Sequence, residues 1–101
     1  MKHIYMKFPN GAQFKFPADI VADDRAKYYA KQDKPNDPEG ARIVYEQEFD
    51  YTMADPSELT DWLKNNMDWA HVSHAATEIE SAPKPDYAHW FSNAETKVVD
   101  A

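Results

Sequence analysis

The fold is decided by the stretch IYMKFPNGAQFKF, residues 4–16, in which apolar and polar residues alternate on both sides of a turn signal. Alternation with a period of two predicts β-strands, and Asn10-Gly11 predicts the turn of a hairpin. A two-residue loop would mix apolar and charged side chains on one face, whereas burial requires a consistent face. A three-residue loop, with Gly11 in the left-handed region, places Met6 opposite Phe14 and makes one face apolar. The other face then carries Tyr5, Lys7, Gln13 and Lys15.

Start signals containing proline predict two helices. Pro17 and Asp19 indicate the start of the first helix. It is predicted over residues 18–31, a run without Gly or Pro that is rich in Ala and Lys. The second helix begins at Asp55-Pro56-Ser57-Glu58, which combines a capping carboxylate with a first-turn proline. Its apolar face is formed by Leu59, Trp62, Leu63 and Met67.

Residues 37–53 carry two competing signals. Asp37-Pro38 is typical of a helix start, but residues 43–53 alternate largely as a strand would. A capping carboxylate followed by proline has a specific mechanism, so we predict a helix, although the count of matching positions favours a strand.

These elements predict an α+β fold. We expect the N-terminal β-hairpin and a third strand at residues 76–80 to form a small antiparallel sheet packed against two or three helices. Residues 1–82 are expected to form a single compact domain. The prolines in Ala82-Pro83-Lys84-Pro85 predict an extended C-terminal tail over residues 83–101, with one apolar anchor at Trp90 and Phe91.

Length and composition exclude several classes of protein. With 101 residues the chain has room for one domain, and without cysteine it has no disulfide, thiolate metal site or thiol nucleophile. No apolar run reaches the roughly 20 residues that cross a bilayer. The N-terminus alternates instead of forming the apolar block of a signal peptide. We therefore expect a soluble, cytoplasmic protein without membrane contact.

The negative charge is unevenly distributed. The net charge of the chain is −7, yet residues 1–34 carry +3 and residues 35–101 carry −10. A field of this sign repels nucleic acid and attracts basic protein surfaces. We predict a protein partner with a basic surface, such as a nucleic-acid-binding complex, and no direct binding of nucleic acid.

Aromatic residues make up 14% of the chain, which is more than a core of this size needs. Trp62 and the hairpin phenylalanines fit the core, but the other rings cannot all be buried comfortably. Aromatic side chains ringed by charged ones are typical of protein interfaces. The predicted partner-binding residues are Tyr45, Glu46, Glu48, Asp50, Tyr51, Asp61, Asp68 and Trp69.

An enzymatic alternative rests on His71, His74 and Glu78. On a continuous helix these three side chains would share a face, and imidazole with carboxylate suits zinc, iron or acid–base chemistry. The spacing differs from the two-histidine helix of zinc proteases, and no nucleophile with a partner base or phosphate-cradling loop is evident. We expect no enzyme, no cofactor and no bound metal.

Two stretches carry a resemblance to known proteins. The segments DRAKYYA (residues 24–30) and ELTDWLKNNMDWAHV (residues 58–72), following the hairpin, resemble small uncharacterised proteins of tailed bacteriophages. In size, acidity and lack of cysteine the chain is also similar to phage anti-defence proteins such as anti-CRISPRs. This resemblance implies a protein that works without catalysis, by occupying a nucleic-acid-binding surface of a host complex.

The leading hypothesis is therefore a phage accessory protein, in the host cytoplasm, that binds and inhibits a host protein or defence complex. Its acidic, aromatic-rich surface would imitate nucleic acid. The sequence also leaves open a homodimer and a self-assembling structural component of the phage. The alternative from a different class is the enzyme centred on His71, His74 and Glu78.

Overall fold

The computed structural model describes residues 1–82 and 86–100. The strands in these residues are β1 Lys2–Lys7, β2 Gln13–Pro17, β3 Thr77–Glu80 and β4 Glu95–Asp100. The helices are α1 Asp19–Asp33, α2 Pro38–Ala54, α3 Pro56–Asn66, α4 Trp69–Val72 and α5 Tyr87–Trp90. Two 3₁₀ turns, Ser73–Ala75 and Phe91–Asn93, follow α4 and α5. The predicted α+β class is confirmed.

The hairpin of β1 and β2 has the predicted register. Met6 pairs with Phe14 and Ile4 pairs with Phe16. Gly11 has a φ of 94°, a conformation that side chains with a Cβ rarely adopt. The Phe8 N–H donates to the Ala12 carbonyl at 2.8 Å, which closes the three-residue loop. Burial of a single apolar face therefore selects the loop length.

The sheet has four antiparallel strands in the order β3-β2-β1-β4. The third strand was predicted, but β4 was not, and the prediction of an extended tail is wrong for residues 86–100. Val98 pairs with Ile4 and packs against the core, and Phe91 and Ala94 are buried. This burial and the hydrogen bonds of β4 to β1 hold the segment on the domain. The linker residues 83–85 and Ala101 lie outside the described residues.

One hydrophobic core lies between the sheet and the helices. Its strand side is formed by Ile4, Met6, Phe14 and Phe16. Val21 and Ala22 of α1 and Leu59 and Leu63 of α3 complete it from the helix side. Among the described residues, the other face of the sheet contributes no side chain to this core, so the domain has two layers.

The ambiguous segment is a helix, as predicted. The Asp37 side chain accepts a hydrogen bond from the Gly40 N–H at 3.0 Å, and Pro38 occupies the first turn. The apolar residues of the strand-like alternation do not form a buried face, because Ile43 and Tyr51 of α2 are exposed. A local cap therefore decides the structure here, against the period-two pattern.

Two further helices begin with a capping aspartate, and the first of these caps, Asp55, was predicted. Asp55 accepts hydrogen bonds from the Ser57 and Glu58 N–H groups at the start of α3. Asp68 accepts from the Ala70 N–H, and the His71 ring accepts from the Asp68 N–H at 2.9 Å, so α4 opens with a reciprocal capping box. None of the helices in residues 1–82 and 86–100 is long and apolar enough to cross a membrane.

Candidate functional site

Three rings from two helices form a cluster at the surface. Tyr28 and Tyr29 of α1 meet edge to face with ring centroids 5.2 Å apart. The Trp62 ring of α3 lies 5.4 Å from the Tyr28 ring and 5.9 Å from the Tyr29 ring. The Trp62 indole N–H donates to Asp24 Oδ2 at 2.8 Å, which fixes the orientation of the ring. Tyr28 remains 49% exposed, so the cluster presents aromatic surface to solvent.

The buried side chain of Arg25 contacts one ring of this cluster and one ring of α2. The Arg25 guanidinium carbon lies 4.7 Å from the Tyr29 ring centre and 5.3 Å from that of Tyr51. Its Nη1 donates to Glu48 Oε2 and to Thr52 Oγ1, each at 2.9 Å. Arg25 thus ties a tyrosine of α1 to a tyrosine of α2 through cation–π contacts.

Carboxylates surround the rings. Glu58 Oε2 lies 3.6 Å from Arg25 Nε, and Glu58 and Asp61 line a shallow cavity of about 300 Å³ beside the rings. Tyr51 is 50% exposed at the α2 side of this region. We call the whole set the aromatic–acidic surface: Arg25, Tyr28, Tyr29, Tyr51, Glu58, Asp61 and Trp62.

Helical spacing explains how the sequence builds this surface. Glu58, Asp61 and Trp62 are three and four residues apart and therefore share one face of α3. The adjoining face of α3 buries Leu59 and Leu63 in the core, and Trp62 packs against that core. The core thereby orients the helix and turns the carboxylates and the indole towards α1.

Tyr45 and Asp23 join α1 and α2 next to this region. The Tyr45 hydroxyl donates to Asp23 Oδ1 at 2.5 Å, and Lys27 Nζ lies 3.0 Å from Asp23 Oδ2. The hydrogen bond to Asp23 raises the pKa of Tyr45 to about 12. Burial raises the pKa of Asp23, but the hydrogen bonds from Tyr45 and Lys27 outweigh it, so this pKa lies below its ordinary value. The Tyr45–Asp23 hydrogen bond therefore joins a neutral phenol to an ionised carboxylate and connects α2 to α1.

The predicted partner-binding residues divide into three groups. Tyr51 and Asp61 belong to the aromatic–acidic surface, and Glu48 touches it through Arg25. Asp50 and Glu46 are exposed on α2, and Glu46 pairs with Arg42 at 3.0 Å. The remaining residues have structural contacts: Tyr45 bonds to Asp23, Asp68 caps α4, and Trp69 packs against Phe8, Phe14 and Tyr87.

The residues of the enzymatic alternative do not share a helix face. His71 lies in α4 and His74 in the 3₁₀ turn that follows it, whereas Glu78 lies in β3 opposite Phe14. The two histidines line a cavity of about 470 Å³ with Asp19, Asp23 and Asp24. In the described part of the chain, no group of three or more His, Asp or Glu side chains is arranged to hold a metal ion.

Five members of the surface were not among the predicted partner-binding residues: Arg25, Tyr28, Tyr29, Glu58 and Trp62. Trp62 was expected in the core but is half-buried, because its N–H bonds to Asp24. Glu58 was expected only as part of the start signal of α3. The signal that could have identified part of this surface is the spacing of Glu58, Asp61 and Trp62, which places two acids and one ring on the same face of α3.

The arrangement offers two kinds of contact. The rings provide apolar surface with few rotatable bonds, and the carboxylates accept hydrogen bonds from Lys or Arg side chains. Comparison with protein-family models, with curated proteins and with solved structures finds no match.

Proposed function

We propose that this protein is a non-catalytic binding protein that docks onto a basic surface of a protein partner. The observation that carries the proposal is the aromatic–acidic surface, in which half-exposed tyrosines and a tryptophan lie among carboxylates. Protein interfaces are enriched in aromatic residues at the centre, and their rim is polar.

Preorganisation supports the proposal. Arg25 is held by Glu48 and Thr52, and it in turn contacts the Tyr29 and Tyr51 rings. Rings that are already fixed lose little conformational entropy when a partner binds. The surrounding carboxylates would speed encounter with a cationic partner, and the rings would slow its release.

The resemblance to phage anti-defence proteins directs the choice of partner. On that reasoning the partner is a host protein or defence complex whose basic surface ordinarily binds nucleic acid. Covering this surface with carboxylates and rings would inhibit the complex by imitating nucleic acid, without breaking any bond.

The test compares three forms of the immobilised protein as bait in bacterial lysate. The first is wild type, and the second carries Tyr28→Ala with Asp61→Lys, which changes the surface but leaves Arg25 and Trp62 in place. The third, a matched control, carries Ile79→Ser with Glu80→Lys, which also changes one exposed apolar residue and one exposed acid.

We expect proteins retained by wild type and by the control variant to be lost from the surface variant, and to elute as salt is raised. Equal capture by all three forms, or no captured protein at low and moderate salt, would contradict the proposal. Recovered partners with acidic rather than basic surfaces would also contradict it.

A further inference from the structure

The sheet face turned away from the helices is open. Outward positions alternate with the core positions, so His3, Tyr5 and Lys7 of β1 point away from Ile4 and Met6. None of these three residues is buried, and none belongs to the core. The face is therefore available to a ligand along the whole of the central strand.

Strand register places lysines on both sides of the central tyrosine. Tyr5 pairs with Lys15 of β2 on one side and with Lys97 of β4 on the other. Directly opposite residues in an antiparallel sheet lie on the same face with Cβ atoms roughly 5 Å apart. Lys15, Tyr5 and Lys97 thus form a row across the sheet, and Lys7 lies two residues further along β1.

This row is a local concentration of positive charge in an acidic protein. Within the described residues, Lys7, Lys15 and Lys97 take part in none of the ion pairs. Two acids lie beside these lysines, because the strand register places Glu95 opposite Lys7 and Glu80 opposite Gln13. Exposed charges act over a Debye length of roughly 8–10 Å, so the charge of this face is set by its own residues and not by the distant helical carboxylates. Lys7, Lys15 and Lys97 against Glu80 and Glu95 leave an excess of one positive charge.

We propose that this open sheet face binds a short segment of single-stranded nucleic acid. Lys7, Lys15 and Lys97 would contact phosphates, and a base would stack on the Tyr5 ring, with His3 next along the strand. Aromatic side chains among cations on a sheet suit single strands, whose unstacked bases expose their flat faces. The proposal goes beyond the proposed function, because it concerns the opposite layer of the domain and a different ligand.

The Tyr5 ring distinguishes a nucleic acid from an acidic polypeptide as the occupant. Lysines alone would serve either ligand, but a planar base gains stacking energy on Tyr5 that a carboxylate side chain does not. Four strands span about 15 Å between the outermost two, which is room for a few nucleotides. This proposal departs from our expectation that the protein does not bind nucleic acid directly, because that expectation rested on charge summed along the sequence and not on the charge of one face.

The test is fluorescence polarisation of a labelled thymidine oligonucleotide and a labelled uridine oligonucleotide, titrated with the full chain at low salt. We expect Lys15→Glu with Lys97→Glu to weaken binding more than tenfold. The matched control Lys31→Glu with Lys34→Glu also reverses two lysines, here exposed ones outside the sheet, and should leave the affinity within about twofold.

Stacking is tested at Tyr5. Tyr5→Phe should retain the affinity and Tyr5→Leu should lose about tenfold, while circular dichroism confirms that both variants fold. Three results would overturn the proposal: no binding of either oligonucleotide, equal loss in the control, or equal affinity of Tyr5→Leu and Tyr5→Phe. Poly-glutamate that competes as well as an unlabelled oligonucleotide would show that the face binds acidic polypeptides instead.

Discussion

Arg25 and Arg42 show how burial changes the role of the same side chain. Each lies near two glutamates, but the Arg25 side chain is 10% exposed and that of Arg42 is 57% exposed. Exposed ion pairs contribute little, since water and salt screen them. Arg25 also donates to buried Thr52 and contacts two rings, so its loss would leave several groups without partners.

We predict that Arg25→Met lowers the free energy of unfolding by about 2–3 kcal/mol, because Glu48 and Thr52 lose their shared donor. The part-exposed carboxylates keep this loss below that of a fully buried pair. Arg42→Met is the matched control and should change stability by at most about 0.5 kcal/mol. Urea denaturation measures both, and equal shifts of the two midpoints would contradict this assignment of Arg25.

Tyr45 makes stability depend on pH at the alkaline end. Its pKa in the folded protein is about 12, above the value of 10.0 for an ordinary tyrosine. The folded state therefore favours the neutral phenol. The contribution of Tyr45 is complete below pH 10 and is lost as pH rises through about 12.

We predict that Tyr45→Phe lowers stability by about 1 kcal/mol at neutral pH, because the hydrogen bond to Asp23 is removed from a partly exposed site. The difference between wild type and variant should vanish as pH rises from 10 towards 12. In the variant, the pKa of Asp23 should rise, because one of the bonds that lower it is gone. Carboxyl NMR titration measures that pKa, and an unchanged value would contradict the prediction.

At the scale of elements, local signals predicted the structure well. Gly11 determines its turn, and Asp37, Asp55 and Asp68 determine helix starts through bonds to N–H groups two or three residues away. β4 was missed because its partner β1 is at the other end of the chain, and a six-residue strand has little pattern of its own. Only the folded core supplies the contact that makes it a strand.

The candidate site was predictable in part for the same reason. Spacing within α3 identifies residues that share a face, and Tyr51 and Asp61 were among the predicted residues. Which helix that face meets depends on tertiary packing. The meeting of Trp62 with Tyr28 and the placement of Arg25 between Tyr29 and Tyr51 therefore could not be derived from periodicity.

Lys64 connects α3 to the segment that leads into β4. Its ammonium donates to the carbonyls of Phe91 at 3.1 Å and Ser92 at 3.3 Å, and to that of Ala94. Burial lowers the pKa of Lys64. A single cation thus satisfies three carbonyl groups around the turn before β4.

We predict that Lys64→Met lowers stability by about 1–2 kcal/mol, since these carbonyls lose a charged donor. Amide hydrogen exchange should accelerate more in β4 than in the β1–β2 hairpin, because the anchor acts on the turn next to β4. Lys31→Met, which changes an exposed lysine of α1, serves as the control. Uniform acceleration in all strands, or none, would contradict an anchoring role.

At the scale of the whole molecule, the two layers differ in charge, because the four strands carry four lysines and four acids whereas α2 and α3 carry six acids and two bases. The acids of α2 and α3 lie on the helical layer, and Lys7, Lys15 and Lys97 lie on the open sheet face. The net charge of −7 therefore describes neither face. The two-layer architecture gives two separate surfaces that differ in charge, because each layer has one side turned to the core and one to solvent.

The C-terminal segment is needed for that architecture. Phe91 is 4% exposed and Ala94 is 5% exposed, and Tyr87 packs against Phe8, Phe14 and Trp69. Removing one buried phenylalanine side chain alone costs roughly 3–5 kcal/mol, against a total stability of roughly 5–15 kcal/mol for a small domain. Loss of β4 would also expose the edge of β1 and the core side of Ile4.

We predict that the chain truncated after Ala82 does not unfold cooperatively, while full-length Phe91→Ala still does, at a lower urea midpoint. Near-ultraviolet circular dichroism should show that Trp69 and its neighbouring rings lose their fixed environment in the truncated chain. Adding a peptide of residues 83–101 should restore part of that signal, because β4 and Phe91 can then bind in trans. A truncated chain with the wild-type midpoint and spectrum would mean that residues 1–82 fold alone, and that β4 only covers a sheet already complete without it.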